Sequence, residues 1–194
     1  EYAMMKNGNG VTSDSRLYFW KDTYRPYIRT ITFGNDLSNL PSSCVGDSDL
    51  CWDVSDAESK KKVYAYLIDS GLKDENEQSL YNLYIVSEAP IFAPSDCSLF
   101  FAGFNNLISI NYNNNFNTSK VTNMNYMFSD CTKIQVKITI MNPNMTTYDG
   151  MISGALNDAN VYAIISYTID TQSVAETMKA TNKFNQSKIT LKQI

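Results

Sequence analysis

Few side chains in this sequence could support catalysis or bind a metal. Its 194 residues include four cysteines and no histidine, which excludes histidine-based triads and every zinc site that needs histidine. The closest groups of carboxylates, Asp53 with Asp56 and Asp74 with Glu75 and Glu77, fall in predicted loops without an apolar setting that would separate their pKa values. We therefore predict a protein that is not an enzyme, needs no cofactor and holds no metal.

The four cysteines fall into two kinds. Cys44 and Cys51 flank a short polar loop, and a disulfide between them would suit an oxidising compartment. Spacing alone leaves their pairing open, because the geometry of the two backbones decides it. Cys131 occupies a position taken by Phe104 one repeat earlier, so it is predicted to be a small buried hydrophobic residue. Cys97 has no partner at zinc-knuckle spacing.

The overall charge argues against a polyanionic or membrane-spanning role. The formal net charge is −4, the isoelectric point is about 4.8, and the longest basic run is Lys60–Lys62. Nucleic-acid binding needs a basic patch that this composition lacks. No apolar run approaches the roughly 20 residues that a membrane-spanning helix requires. The expected partners are neither nucleic acids nor the membrane interior.

A repeating pattern organises the centre of the chain. The segment Val121–Phe128 is echoed by Met145–Ile152, 24 residues later, and three apolar positions recur 27 residues apart, namely Phe101, Phe104 and Leu107 with Phe128, Cys131 and Ile134. A period of about 24–27 residues with one short strand per unit is typical of the leucine-rich class of solenoid. The predicted fold class is therefore α/β: a short leucine-rich-repeat-like solenoid with a parallel strand ladder, preceded by a β-rich module with a hairpin.

The elements around the repeats define two predicted domains. Residues 1–94 form the β-rich module, with strands predicted at Arg16–Trp20 and Ile28–Phe33 and a hairpin from Val63–Asp69 and Leu80–Val86. Residues 95–194 form the solenoid, with strands at 107–112, 133–140 and 161–168. Ser173 and Glu176 make a capping box, so residues 173–194 are predicted to be a C-terminal cap of one helix and one strand.

The best-defined repeat, Phe116–Cys131, reads FNTSKVTNMNYMFSDC. It resembles the repeat of the BspA-like leucine-rich repeat surface proteins of bacteria, with the closest match across Phe116–Ile134 and a looser one to about Thr168. The segments Trp20–Phe33 and Trp52–Ile68 look like the module that often precedes such repeats. The resemblance implies a secreted or cell-surface protein that adheres to host or partner macromolecules through its solenoid.

The leucine-rich template also predicts a ligand-binding face. In it Leu107, Ile110 and Tyr112 point inward, while the open sheet face carries Ser109, Asn111, Asn113, Lys137 and Thr139. These side chains are polar and nearly neutral, so the expected ligand is a protein or a glycan. The alternative is a structural subunit of a surface appendage such as a fibre or pilus, which would assemble through exposed strand edges. The 13 tyrosines and 9 phenylalanines fit either an exposed aromatic binding face or half-buried strand packing.

Overall fold

The computed structural model describes residues 1–6, 24–44, 50–182 and 185–194. The predicted strand Arg16–Trp20 lies outside them. The described residues contain one α-helix, α1 (Gln172–Thr181), and ten strands: β1 (Ala3–Met4), β2 (Ile28–Gly34), β3 (Cys51–Asp53), β4 (Tyr64–Lys73), β5 (Ser79–Val86), β6 (Ile91–Phe92), β7 (Ser109–Asn111), β8 (Val136–Ile140), β9 (Ala163–Tyr167) and β10 (Ile189–Gln193).

The largest sheet has five strands in the order β3-β4-β5-β2-β7. The pairs β3–β4 and β4–β5 are antiparallel, whereas β2 runs parallel to both β5 and β7. Strands β4 and β5 pair as a hairpin over the two runs from which the sequence predicts one. The inner face of the sheet carries buried residues such as Leu83 and Ile31, and alternate residues point outward.

Two smaller sheets complete the fold. Strands β8, β9 and β10 form a parallel sheet in the order β10-β9-β8, and β1 pairs with β6 in parallel. Helix α1 connects β9 to β10 and packs on this sheet through Val174, Ala175 and Met178, which are buried. The helix begins at Gln172, and the capping box that precedes it joins Thr168 to Thr171 rather than Ser173 to Glu176.

The predicted solenoid is wrong. The fold is mixed α/β and mainly sheet, because β7 pairs with β2 of the large sheet while β8 pairs with β9. No hydrogen-bonded ladder joins β7 to β8, so the strand of the first repeat lies in a different sheet from the strands of the second and third, which pair as β8 and β9. Strand β2 pairs with one edge of β7, with Thr30 opposite Ser109, and the other edge of β7 faces β8 without a ladder. A period in the sequence reveals neither the pairing with β2 nor the gap to β8.

The sequence repeats correspond to stacked turns that precede the strands. Phe101 N–H donates to Met127 O at 2.8 Å, and Phe128 N–H donates to Met151 O at 2.8 Å. Left-handed backbone conformations recur at matching positions of the three turns, at Leu99, Tyr126 and Gly150 and again at Gly103, Asp130 and Gly154. The 24- and 27-residue periods therefore repeat a turn geometry, and the strands that follow the turns form a ladder between β8 and β9 but not between β7 and β8.

One apolar core underlies all three sheets. It runs from Ala3 to Ile189 and includes buried residues on both sides of the predicted boundary at residue 94. Phenylalanine rings form its centre: Phe101 stacks on Phe128 with ring centroids 5.5 Å apart, and Phe100 meets Phe101 edge to face at 4.8 Å. Because these rings belong to successive turns, the core fixes the turns and the strands that follow them.

Candidate binding cleft

The two strand edges that face each other without pairing, those of β7 and β8, enclose a cleft. At one end Gln135 N–H donates to Ile108 O at 3.1 Å, so the two chains start at ordinary strand spacing. At the other end the hydroxyl of Thr118 donates to Thr139 O at 2.5 Å. Between these two hydrogen bonds the sheets diverge and leave a cleft of about 770 Å³. That volume lies within the usual range of small-ligand sites.

The structure brings all five residues of the predicted binding face to this cleft. Ser109, Asn111 and Asn113 line it from the β7 side, and Lys137 and Thr139 line it from β8. The sequence did not predict the other lining residues, which are Asn114, Asn117 and the apolar side chains of the floor and one wall: Ile110, Tyr112, Phe116, Ile138, Met141 and Ile194. The alternation of inward and outward residues predicts several of these as core, and Ile110, Phe116 and Ile138 are buried.

The β8 edge directs backbone groups into the cleft. Val136 N–H donates to Tyr162 O at 3.0 Å, so Val136 faces β9. In a parallel ladder successive residues point their N–H and C=O groups to opposite sides, which turns those of Lys137 and Thr139 toward β7. Thr139 O accepts the Thr118 hydroxyl. No described residue pairs with the remaining groups, the Lys137 N–H and C=O and the Thr139 N–H.

The β7 edge also directs backbone groups into the cleft, from the opposite wall. Ile108 O accepts the Gln135 N–H and so faces β8. By alternation the N–H and C=O groups of Ile110 face β8 as well, whereas those of Ser109 and Asn111 pair with β2. No ladder joins Ile110 to β8 in the described part of the chain. The cleft thus presents donors and acceptors in fixed directions, as an exposed sheet edge does.

The turn after β7 holds the upper rim of the cleft in place. Asn113 adopts a left-handed backbone with φ 49°, and Asn114 follows with φ 52°; asparagine is one of the few residues other than glycine that adopt this conformation readily. The Asn113 amide donates to Phe33 O at 2.6 Å, and Asn111 Oδ1 accepts the Asn113 N–H at 3.1 Å. These bonds tie the rim to β2, so the polar side chains of the rim are pre-positioned.

Aromatic side chains build the floor. The ring of Tyr112 stacks on Phe116 with centroids 5.5 Å apart, and both rings contact Phe33. The Tyr112 hydroxyl is buried without a hydrogen-bond partner among the described residues. Burial raises the pKa of Tyr112 far above its ordinary value, and the nearby thiols of Cys97 and Cys131 raise it further. The phenol therefore stays neutral.

The electrostatic character of the cleft is nearly neutral. Lys137 is the single charged side chain among its lining residues, and none of them is a carboxylate. Across the described ranges, no cluster of three or more His, Cys, Asp or Glu residues could hold a metal ion. A cleft lined by hydroxyl, amide and apolar groups with one lysine can bind and orient a molecule through hydrogen bonds and apolar contact.

The outer face of the large sheet continues the cleft wall. Ser109 lies beside Thr30, which lies beside Asn82, and the Thr30 hydroxyl donates to Asn82 Oδ1 at 2.7 Å. The next row places Asn111 beside Thr32. These hydroxyl and amide side chains extend the hydrogen-bonding surface from the cleft across three strands.

The cysteines lie away from the cleft lining. A disulfide joins Cys44 to Cys51, whose Cα atoms are 5.2 Å apart, and attaches the loop before β3 to the edge of the large sheet. Cys97 and Cys131 are free thiols in the core. Burial raises the pKa of the Cys131 thiol to about 12, so it remains protonated and unreactive at neutral pH.

The comparisons leave the chain without a relative to guide function: no family model matches it, and neither a curated protein nor a solved structure does. In the part of the chain that the structure describes, no helix is long and apolar enough to cross a membrane.

Proposed function

We propose that this protein is a binding module that captures a neutral protein or glycan in the cleft between β7 and β8. The observation that carries the proposal is the facing pair of unpaired strand edges, lined by polar side chains above an aromatic floor. Fixed donors and acceptors around an apolar floor are what ligand sites commonly offer. The absence of histidine from the sequence supports a binding role over catalysis.

We further propose that the module works outside the cell, on a bacterial surface or after secretion. The resemblance of Phe116–Cys131 to repeats of bacterial surface proteins supports this location, and a disulfide between Cys44 and Cys51 is suited to an oxidising compartment. The partner would then be a host or neighbouring-cell macromolecule, or another part of a larger surface assembly.

The test compares three proteins on an array of matrix proteins and glycans: the native chain, a cleft variant and a control. The cleft variant is Ser109→Ala with Lys137→Ala and Thr139→Val. It leaves Asn111 and Asn113 unchanged because their side chains hold the rim. We expect the native chain to capture a ligand and the cleft variant to lose it, with an unchanged melting temperature.

The matched control removes the same kinds of side chain from other surfaces. Lys60, Thr132 and Ser153 are exposed and do not line the cleft, so Lys60→Ala with Thr132→Val and Ser153→Ala should bind as the native chain does. Equal capture by the cleft variant and the native chain would show that the cleft is not the binding site.

A second candidate function is a structural subunit of a surface fibre. The outer edge of β10 has no strand partner among the described residues, and such an edge can add a strand from another copy. Light scattering over a concentration series separates the candidates. A subunit grows with concentration, whereas a plain binding module keeps its molecular mass.

A further inference from the structure

We infer that the cleft takes a short segment of a neutral glycan, with sugar rings inside the cleft and the rest of the chain on the outer sheet face. This inference rests on the proposed binding function and specifies its ligand class. Three features carry it: the closed ends of the cleft, the chemistry of its lining and its charge.

The closed ends exclude an added peptide strand. A third strand between β7 and β8 needs about 4.8 Å on each side along its length. The bond from Gln135 N–H to Ile108 O, at 3.1 Å, holds the two chains at the spacing of directly paired strands. The Thr118–Thr139 bond ties the other end. An extended peptide cannot run through a gap that is closed in this way, whereas a sugar ring can enter from the open face.

The lining matches the two faces of a sugar. Each sugar hydroxyl both donates and accepts. The strand edges offer both kinds of backbone group at Ile110 and Lys137, and the side chains of Ser109 and Asn111 add further donors and acceptors. The apolar C–H face of a ring can rest on the partly exposed Tyr112, which stacks on the buried Phe116. The outer face continues with more hydroxyl and amide groups, so further sugar units would meet the same chemistry.

The lining lacks what a protein partner would need. Protein interfaces concentrate their binding energy in buried Trp, Tyr and Arg anchors. None of the cleft-lining residues is Trp or Arg, and Tyr112 is packed into the floor with its hydroxyl buried. The exposed apolar side chains of the cleft are confined to one end, at Met141 and Ile194. An anchor side chain of a protein partner would therefore make few apolar contacts in the cleft.

The charge favours a neutral glycan over an acidic one. Lys137 is the single cationic side chain of the lining, and the whole chain carries a formal charge of −4. A polyanionic glycan would meet one favourable charge and a repulsive net field. A neutral glycan binds without leaving an unpaired charge.

The experiment titrates the native chain with neutral tetrasaccharides of glucose, mannose, galactose and N-acetylglucosamine, each in parallel with an acidic tetrasaccharide of uronic acid. We expect at least one neutral probe to bind, with little change between low and high salt. The Ser109→Ala, Lys137→Ala, Thr139→Val variant should bind it about tenfold more weakly or worse, because a tenfold loss corresponds to losing one or two ordinary hydrogen bonds. The Lys60, Thr132 and Ser153 control should bind it normally.

Other outcomes separate the two levels of the proposal. Cleft-dependent capture of a matrix protein without any sugar binding would overturn the glycan inference and keep the binding function. Binding of the acidic probe alone, lost in high salt, would likewise overturn it. Binding of any ligand that the cleft variant retains in full would overturn both.

Discussion

Replacing Gly150 by alanine tests the stacked turns on which the whole fold rests. Gly150 has φ 59°, and a Cβ atom there would lie 2.7 Å from Cδ1 and 3.0 Å from Cζ of Tyr126 in the preceding turn. The left-handed backbone costs an alanine about 1–2 kcal/mol. Displacing the Tyr126 ring from its rotamer adds about 1 kcal/mol. We expect Gly150→Ala to lower the free energy of unfolding by about 2–3 kcal/mol and the melting temperature by about 5–10 °C.

Two companion variants separate the backbone cost from the steric cost. Gly71 has φ 76° with no neighbouring atom within 4 Å of its virtual Cβ, so Gly71→Ala should cost about 1–2 kcal/mol from the backbone alone. In a Tyr126→Ala background, the stability cost of Gly150→Ala should fall to the same value, because the ring that obstructs the new Cβ atom is gone. Thermal and urea unfolding are measured for the native chain, the three single variants and the Tyr126→Ala, Gly150→Ala double variant. Equal costs for Gly150→Ala with and without the Tyr126 ring would refute the stacking of these two turns.

Three further changes test the interior, a surface carboxylate and the disulfide. Tyr112→Phe should raise the unfolding free energy by about 1 kcal/mol, because it removes a buried hydroxyl that has no partner; a loss of stability in urea unfolding would contradict this. Burial raises the pKa of Asp53, but hydrogen bonds from Lys62 and from its own turn outweigh it and lower the pKa below 3.8. Asp53→Asn should therefore cost up to about 1 kcal/mol at pH 6 and progressively less as the pH falls below 3.8, and a cost independent of pH would contradict this. Cys44→Ser with Cys51→Ser should cost about 2–3 kcal/mol from the freed loop, a loss that reduction of the native chain should reproduce in calorimetry.

The local elements were predictable because their signals are local. The β-branched and aromatic runs predict β2, β4 and β5 within a few residues of their observed bounds. The asparagines after β7 predict the left-handed turn. The sheet assignment was not predictable from one sequence, because β7 has two edges: one pairs with β2, and whether the other pairs with β8 depends on how the two chains diverge in three dimensions. The periodic pattern predicts a ladder with β8 and carries no signal for the pairing with β2.

The same contrast between local signals and three-dimensional arrangement holds for the residues of the proposed binding cleft. Alternation along β7 and β8 predicts that Ser109, Asn111, Lys137 and Thr139 point outward, and the structure brings them to one cleft. The prediction of a flat, paired sheet face gave no reason to expect the floor, since Tyr112 and Phe116 read as ordinary core. Phe116 is buried as core, and Tyr112 is partly exposed at the floor of the cleft.

Amide hydrogen exchange at the two strand edges tests the central claim most directly. The N–H groups of Ile110, Lys137 and Thr139 face the cleft without a partner among the described residues, so they should exchange fast in the free protein. A bound neutral tetrasaccharide should slow them selectively while leaving Thr190 on β10 unchanged. Protection of these amides in the free protein would show that β7 and β8 are already paired, and binding without any change at these positions would locate the ligand elsewhere.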